Sequence, residues 1–440
     1  MNLHLSQSDG FLRVAAASPR IRVADVEGNA EVALAAVREA TERGVRALAL
    51  PELNLTGYTA ADLFHNRTLL HACEAALVHI LDETRELPIV FTVGLPVAVA
   101  ENIYNCAAVC CAGELLGLTA KKYLPNYGEF YEKRHFIPGM HEPECITLAG
   151  QETLIGTNLL FACKQMPAFV LAAEICEDLW APVPPSCAHA LAGATVVANL
   201  SASDETVGKS AYRRALVCGQ SARLLCAYLY ADAGHGESTT DMTFAGHNLI
   251  AENGSLLADT APFAGEAAVT ELDLGRMVQE RQRNTTFMPE ATGYTTVEFD
   301  LPPISLALTR PVSCTPFVPQ DAATRAQLTR MNAAVMGRDT DPMYGAPTIL
   351  VVLADAHAAN AVPDGSLVMG NLMLAAASLG LGSCWINRAK EEFETEEGKA
   401  LLRQWGIEGD WVGIGHCILG YPAADPKPAA PRKPDYIVKV

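Results

Sequence analysis

Short apolar runs of β character alternate with amphipathic segments through the first 290 residues, and that alternation restricts the chain to an α/β architecture. FLRVAAAS, VRALALPEL, LPIVFTVGLP, IYNCAAVCC and LLGLTAKKYL read as strands, the last two joined by the turn AGE. AFVLAAEIC, GATVVANLSA and RLLCAYLYAD continue the series. Between the strands, AEVALAAVREATER, capped by Asn29 and closed by Gly44, reads as a helix, as does KSAYRRALVCGQSA. NLIAENGSLLAD is expected to be a hairpin on Asn253-Gly254, because both residues tolerate the positive φ that a tight two-residue turn requires.

The character changes over residues 301–340, where LPPISLALTRPVSCTPFVPQDAA concentrates proline and reads as a linker. A second alternation occupies 341–440. APTILVVLADA is its first strand, DGSLVMGNLMLAAASLGLG a helix capped by Asp364, TEEGKALLRQW a helix and DWVGIGHCILGYP a strand. That is enough for a small, incomplete α+β unit. Three segments are therefore expected: a main domain over 1–300, a linker over 301–340 and a small domain over 341–440.

Charge and composition exclude several function classes. Formal net charge is −18, with only 32 lysines and arginines and no basic run, so neither nucleic acid nor an anionic membrane surface is expected as a partner. No uncharged apolar run approaches the ~18 residues a spanning helix needs, and the first twenty residues lack the pattern of a secretory signal. The thirteen cysteines, odd in number and scattered through apolar runs, read as reduced thiols of a cytoplasmic protein. Cys106, Cys110 and Cys111 cluster, but in a strand with no companion histidines, so packing rather than zinc is expected there, and no metal elsewhere.

LAAEICEDLW (171–180) poses the chemical question. A reacting cysteine must become a thiolate, yet Cys176 lies among Glu174, Glu177 and Asp178, which oppose that charge. Either Cys176 is an inert core thiol or a cation arrives from elsewhere in the chain. Glu174, two residues earlier, shares its side if the strand persists. Polar residues close two other apolar runs: Glu52 in LALPELNLTGY, and Lys121, Lys122 and Glu129 in GLTAKKYLPNYGEF. Cysteine, lysine and carboxylate together suffice for acyl transfer from an amide, as nucleophile, cation and proton carrier. Taken singly, each residue reads as a packed thiol or a solvated strand end rather than as a catalytic group.

LALPELNLTGY, KKYLPNYGEFYEKRHF and EICEDLWAPVPPS together resemble the nitrilase superfamily, and more narrowly the glutaminase domain of glutamine-dependent NAD synthetases. NLSASDETVGKSAYRR and GHGESTTDMTFAGHNLIAENGSLLAD extend the similarity to about residue 290, and TPFVPQDAATRAQ resembles the segment that follows this domain. The resemblance implies an α-β-β-α sandwich, commonly paired in a homo-oligomer. It implies Cys176 as nucleophile, Glu52 as general base and acid, and Lys121 rather than Lys122 as the oxyanion-side cation. Glu129 is implied as a second carboxylate positioning the site, and Tyr127, Glu177 and Ser203 as substrate contacts. The implied activity is hydrolysis of a carboxamide, glutamine to glutamate and ammonia, with no cofactor required and with a separate ammonia-accepting enzyme as partner.

VGKS (207–210) resembles the end of a nucleotide-binding loop, but that loop needs glycine five residues before Gly208, where Ser203 stands. His235 is expected to be a loop residue and not a partner of Cys176. The sequence contains no SGGxDS pyrophosphate loop, so NAD synthesis by this chain alone is not expected.

From about residue 341, YGAPTILVVLAD, DGSLVMGNLMLAAASLGLGSCWI, EEGKALLRQWGI and VGIGHCILGYP resemble the C-terminal half of the nitroreductase family. That family binds FMN, and the resemblance offers Gly382 and Ser383 beside a flavin ring and Arg432 and Lys433 at its phosphate. An arginine-rich segment that begins the family's complete members has no counterpart here, so a structural remnant is expected ahead of a working flavin site. Three rivals to the glutaminase stand: an amidase or nitrilase of different substrate, an FMN-dependent oxidoreductase with an accessory amidase domain, and a non-catalytic assembly protein.

Overall fold

The structure is a computed structural model, and it describes residues 10–304, 307–310 and 322–421. The chain divides into two units, Met1–Arg310 and Pro311–Val440.

In the first unit, β1 (Phe11–Ala16) leads through α1 (Val26–Glu42) to β2 (Ala47–Ala49), and α2 (Arg67–Glu83) leads to β3 (Val90–Val99). The meander β4 (Asn102–Cys111) and β5 (Glu114–Ala120) follows, then β6 (Glu144–Leu148), β7 (Gln151–Gly156), β8 (Leu159–Cys163) and β9 (Val170–Ile175). The short α3 (Glu177–Trp180) and α4 (Pro185–Ala192) precede β10 (Val196–Ser201), and α5 (Lys209–Leu224) precedes β11 (Ala227–Asp232). β12 (Leu249–Glu252), β13 (Ser255–Asp259), β14 (Ala268–Asp273), α6 (Leu274–Arg283) and β15 (Thr295–Phe299) complete it.

These strands form two mixed sheets, ordered β14-β1-β2-β3-β4-β5-β7-β6 and β13-β12-β11-β10-β9-β8-β15. Alternation along each strand fills both faces. Val14 and Ala16 of β1 join Phe161, Ala173, Leu200 and Leu229 in a core between the sheets. Ala15 turns the other way, into a core where Leu34, Val37, Leu77 and Ile80 of α1 and α2 meet Leu48 and Phe91. On the opposite side Val217 and Leu224 of α5 meet Val197, Tyr228 and Tyr230. The result is the expected α-β-β-α sandwich. The Asn253-Gly254 hairpin forms as read, with φ of 46° and 84° at the two residues.

Local expectations fail where a side chain has a tertiary use. Asn29 does not cap α1. Asp25 does, accepting from the Gly28 N–H at 3.2 Å. Asn29 lies one turn inside, buried, and its amide bonds the Arg22 N–H, the Arg22 carbonyl and the Leu55 carbonyl.

The second unit contains α7 (Ala322–Met336), β16 (Thr348–Asp355), α8 (Ala361–Ser378), β17 (Gly382–Ile386), α9 (Ala389–Glu394), α10 (Glu396–Gln404) and β18 (Trp411–Gly420). Its antiparallel sheet is ordered β16-β18-β17. Helix α8 starts at Ala361 after Asn360, which leaves Asp364 in the first turn rather than at the cap. The 301–340 stretch read as a linker divides between the units. Thr309 and Arg310 are tied to the first one: the Thr309 N–H donates to Glu271 at 3.2 Å and Arg310 Nη1 to Glu252 at 3.1 Å. In the second, Leu328 and Met331 of α7 share a core with Phe393, Leu401, Leu402 and Ile418. No helix among the described residues is long and apolar enough to cross a membrane.

Candidate active site

Three strand ends and the loops after them converge on one buried point. The segment after β2 carries Glu52, whose N–H donates to the Ser201 carbonyl at 3.3 Å. Gly94 of β3 passes so close that a Cβ there would lie 2.3 Å from the Leu53 nitrogen. After β5, the Lys121 N–H donates to the Asn105 carbonyl at 2.8 Å. After β9, the Cys176 N–H donates to the Leu200 carbonyl at 3.0 Å. The end of β10 thus anchors both the Glu52 and the Cys176 segments.

Asp178 joins the other two. Its carboxylate accepts the N–H of Ile175 at 3.0 Å, of Tyr123 at 2.8 Å and of Lys122 at 3.2 Å, so it clamps the cysteine turn to the chain just after Lys121. Burial, with the charge of Glu174, pushes its carboxyl up to about 8, against the N–H groups of Ile175 and Tyr123 and the charge of Lys121.

Cys176 has φ of 45°, a value uncommon for a residue with a Cβ, between the end of β9 and the start of α3. That turn breaks the strand alternation and separates Cys176 from Glu174. The thiol lies in the core between the sheets, whereas Glu174 accepts from the Ser186 N–H at 2.7 Å and from the Tyr228 hydroxyl. Glu174 therefore needs no cation. Burial raises its carboxyl, and two neutral donors satisfy it.

Lys121 Nζ lies 2.6 Å from Glu52 Oε1 and 2.6 Å from Glu132 Oε1, with all three side chains buried. Burial alone would lower this ammonium, but Glu132 and Glu52 hold it well above its usual value. Burial and the Glu52 charge push the Glu132 carboxyl up to about 7, against the pull of Lys121. The Cys176 thiol is also raised, by burial first and then by Glu52, while Lys121 opposes the rise. At neutral pH Cys176 accordingly rests as a thiol. The two oxygens of Glu52 have different surroundings. Oε1 holds Lys121 and accepts from Asn105 Nδ2 at 2.6 Å, whereas Oε2 is buried with no hydrogen-bond partner among the described residues.

The sequence-assigned residues divide on this geometry. Glu52, Lys121 and Cys176 come together. The carboxylate on Lys121 is Glu132, not Glu129. The loop closes through the Glu132 N–H to the Pro125 carbonyl at 3.1 Å, and Glu132 Oε1 also accepts the Tyr58 hydroxyl at 2.8 Å. Glu129 is half-buried and lines a cavity of about 220 Å³ beside Tyr58, Glu132, His135 and Asp241. The Tyr127 hydroxyl donates at 2.8 Å to Glu177, the residue directly after Cys176. Ser203 lies two residues beyond β10, its N–H donating to Asp232 at 2.8 Å. His235 is exposed and bonds the Phe263 carbonyl at 3.2 Å. Sequence reasoning missed Glu132, Tyr58 and Asn105; the last had a visible signal, an amide inside an otherwise apolar run.

Cys106, Cys110 and Cys111 are buried in β4, and burial pushes the Cys111 thiol up to about 12. Among the described residues no group of three histidine, cysteine or acidic side chains could hold a metal. In the second unit Gly382 and Ser383 line a surface groove with Tyr344, Pro347 and Tyr421, and no described residue lining it carries a positive charge. These residues alone do not fit FMN, whose phosphate needs cationic donors. Arg432 and Lys433 lie outside the described residues.

Residues 13–282 match the carbon-nitrogen hydrolase family model and residues 316–421 the nitroreductase family model. The glutamine-dependent NAD(+) synthetase of Mycobacterium tuberculosis is 41% identical over 332 residues, covering 73% of this chain and 49% of that protein. The enzyme of the same name from Aquifex aeolicus is 31% identical over 272 residues, 62% of this chain and 44% of its own. A crystal structure of a glutamine-dependent NAD(+) synthetase from Cytophaga hutchinsonii superposes with a TM-score of 0.54 at 30% identity, over 60% of this chain and 43% of that one. The chain spans about half the length of the curated relatives it matches. By its fold, its buried cysteine, lysine and carboxylates and the family match over most of the first unit, the chain belongs to the carbon-nitrogen hydrolase family of the nitrilase superfamily, with a nitroreductase-family region after it.

Proposed function

We propose that the first unit is a glutaminase. The Cys176 sulfur attacks the side-chain carbonyl carbon of glutamine while Glu52 Oε2 takes the thiol proton. The carbonyl π electrons move to oxygen, and the Lys121 ammonium stabilises the oxyanion. As the C–N bond breaks, Glu52 returns the proton to the leaving nitrogen, giving ammonia and a thioester. Glu52 then deprotonates a water that attacks the thioester, and the C–S bond breaks to release glutamate and regenerate the thiol.

The single observation that carries amide hydrolysis is the division of Glu52, with Oε1 fixed by Lys121 and Asn105 and Oε2 buried and free. Glutamine in particular is supported by Glu177, an acid that follows the nucleophile and could receive an α-ammonium, and by the glutamine dependence named for the relatives. The ammonia would serve a separate acceptor enzyme.

Ammonia release from L-glutamine, asparagine, simple aliphatic amides and nitriles tests this. The expected result is turnover of glutamine that Cys176→Ala abolishes. Equal release by the variant, or inert glutamine beside rapid turnover of another amide, would overturn it.

A further inference from the structure

Glu237 is an acid the chemistry above does not use, and among the described residues it has no cationic partner. Burial raises its carboxyl, and its hydrogen bonds all go to one place. Oε1 accepts the Tyr58 N–H at 2.7 Å. Oε2 accepts the Thr59 N–H at 3.0 Å and the Thr59 hydroxyl at 2.6 Å. The Thr59 hydroxyl in turn accepts the Ser238 N–H at 2.9 Å. Both sides of this contact are sterically fixed. Gly57, with φ of 77°, would place a Cβ 3.2 Å from Glu237 Oε2, and Gly236, with φ of 107°, would place one 1.8 Å from the Ile21 carbonyl oxygen. The Ile21 N–H donates to the His235 carbonyl at 3.1 Å, so the strip carrying Glu237 cannot slide freely.

What this fixes is the start of the kinked helical segment Tyr58–His65, in which Thr59 and Ala61 leave helical conformation, and therefore the Tyr58 ring. That ring lies edge-on to Phe244 at 5.9 Å and delivers its hydroxyl to Glu132 Oε1, the oxygen that also takes Lys121. A continuous path of hydrogen bonds and one side chain runs from Glu237 through Tyr58 and Glu132 to Lys121 and Glu52. We infer that Glu237 is a positioning residue of the amidase centre, which sets the Lys121 ammonium between its two carboxylates by fixing where the Tyr58 hydroxyl points. The inference rests on the amidase reading of the site, though not on glutamine as its substrate.

With glutamine in its place, one carboxylate oxygen becomes an NH2 donor facing a backbone N–H, so at least one of these donors loses its acceptor and the segment can shift by fractions of an ångström. A buried cation misplaced by that much stabilises charge less well in the transition state than in the ground state. The effect should therefore fall on kcat and not on KM, and on thiolate formation even with no amide present.

Two rates test this in the full chain: turnover of glutamine, and alkylation of Cys176 by iodoacetamide followed by intact mass and peptide mapping. Glu237→Gln is expected to lower kcat and the alkylation rate each about tenfold, the scale of one lost charge-assisted hydrogen bond, with KM within about twofold. Tyr58→Phe, which leaves the loop intact, should slow alkylation similarly. The double variant should be no slower than Tyr58→Phe alone, because the path runs through that hydroxyl. Unchanged alkylation in Glu237→Gln, a rise in KM alone, or losses that multiply in the double variant would overturn the inference. If Glu237→Gln does not fold, Tyr58→Phe decides: slowed alkylation upholds the path and normal alkylation overturns it. Inert glutamine together with slowed alkylation would reject the substrate and leave the role of Glu237 standing.

Discussion

Replacing Lys121 with methionine should damage the fold in a pH-dependent way. The ammonium is completely buried and 2.6 Å from an oxygen of each of Glu52 and Glu132. Removing one partner of a buried pair costs about 3–5 kcal/mol because the remaining charge stays desolvated. Here two carboxylates lose one shared cation, so the upper half of that range applies at neutral and alkaline pH. At about 2.1 cal/mol/K per residue over a unit of roughly 300 residues, a loss of about 4–5 kcal/mol corresponds to a melting point lower by roughly 6–8 °C. The sign of the pH effect follows from Glu132, whose carboxyl burial and Glu52 already push up to about 7. A carboxyl raised on folding contributes stability that is full below its unfolded value of about 4.3 and is lost as pH rises through the folded value. Without Lys121 the folded value climbs further, so the window of loss extends above 7. The deficit of Lys121→Met against the parent chain should therefore be largest near pH 8–9 and shrink toward pH 5. Adding Glu132→Gln should recover part of it. Differential scanning calorimetry at several pH values measures this. A deficit that is small at pH 8, or that grows on acidification, would refute the triad electrostatics.

Glu52→Gln should fold and lose about 100-fold to 10,000-fold in ammonia release, because the amide cannot carry the proton; steady-state kinetics beside circular dichroism checks this. Gly94→Ala should lower both activity and melting temperature, since its Cβ would lie 2.3 Å from the Leu53 nitrogen and displace the segment holding Glu52. In the second unit, Asn332 donates to the Asn387 carbonyl at 2.8 Å and to buried Glu392, which also meets His416 at 3.0 Å. Asn332→Ala should cost about 1–3 kcal/mol in unfolding of that unit, read by chemical denaturation.

The sandwich was legible because its signal is periodic. Strands of two-sided burial read as continuous apolar runs, and their ends mark where polar residues emerge. That is why Glu52, Lys121 and Cys176, each just beyond such a run, could be picked out. Glu132 could not. YGEFYEKR offers two glutamates three residues apart in a segment without repeating structure. The choice between them depends on the Pro125 carbonyl and on a tyrosine hydroxyl from another loop. Glu174 was opaque for the same reason, since Tyr228 comes from β11, far along the chain. Asn29 and Asp25 both suit a helix start, and the tie falls to Asp25 only because the Asn29 amide bridges Arg22 and Leu55. The acids around Cys176 ceased to be a contradiction once the backbone turned. Asp178 holds backbone N–H groups, Glu174 faces away, and the cation comes from the residue just after β5.

The central claim, that Cys176 is the nucleophile of a glutamine-hydrolysing centre, is tested most directly by intact-mass measurement after exposure to an electrophilic glutamine analogue. The expected result is a single adduct mapped to Cys176, prevented by excess L-glutamine and absent from Cys176→Ala. An adduct on another cysteine, or labelling of Cys176 that glutamine does not slow, would contradict the account.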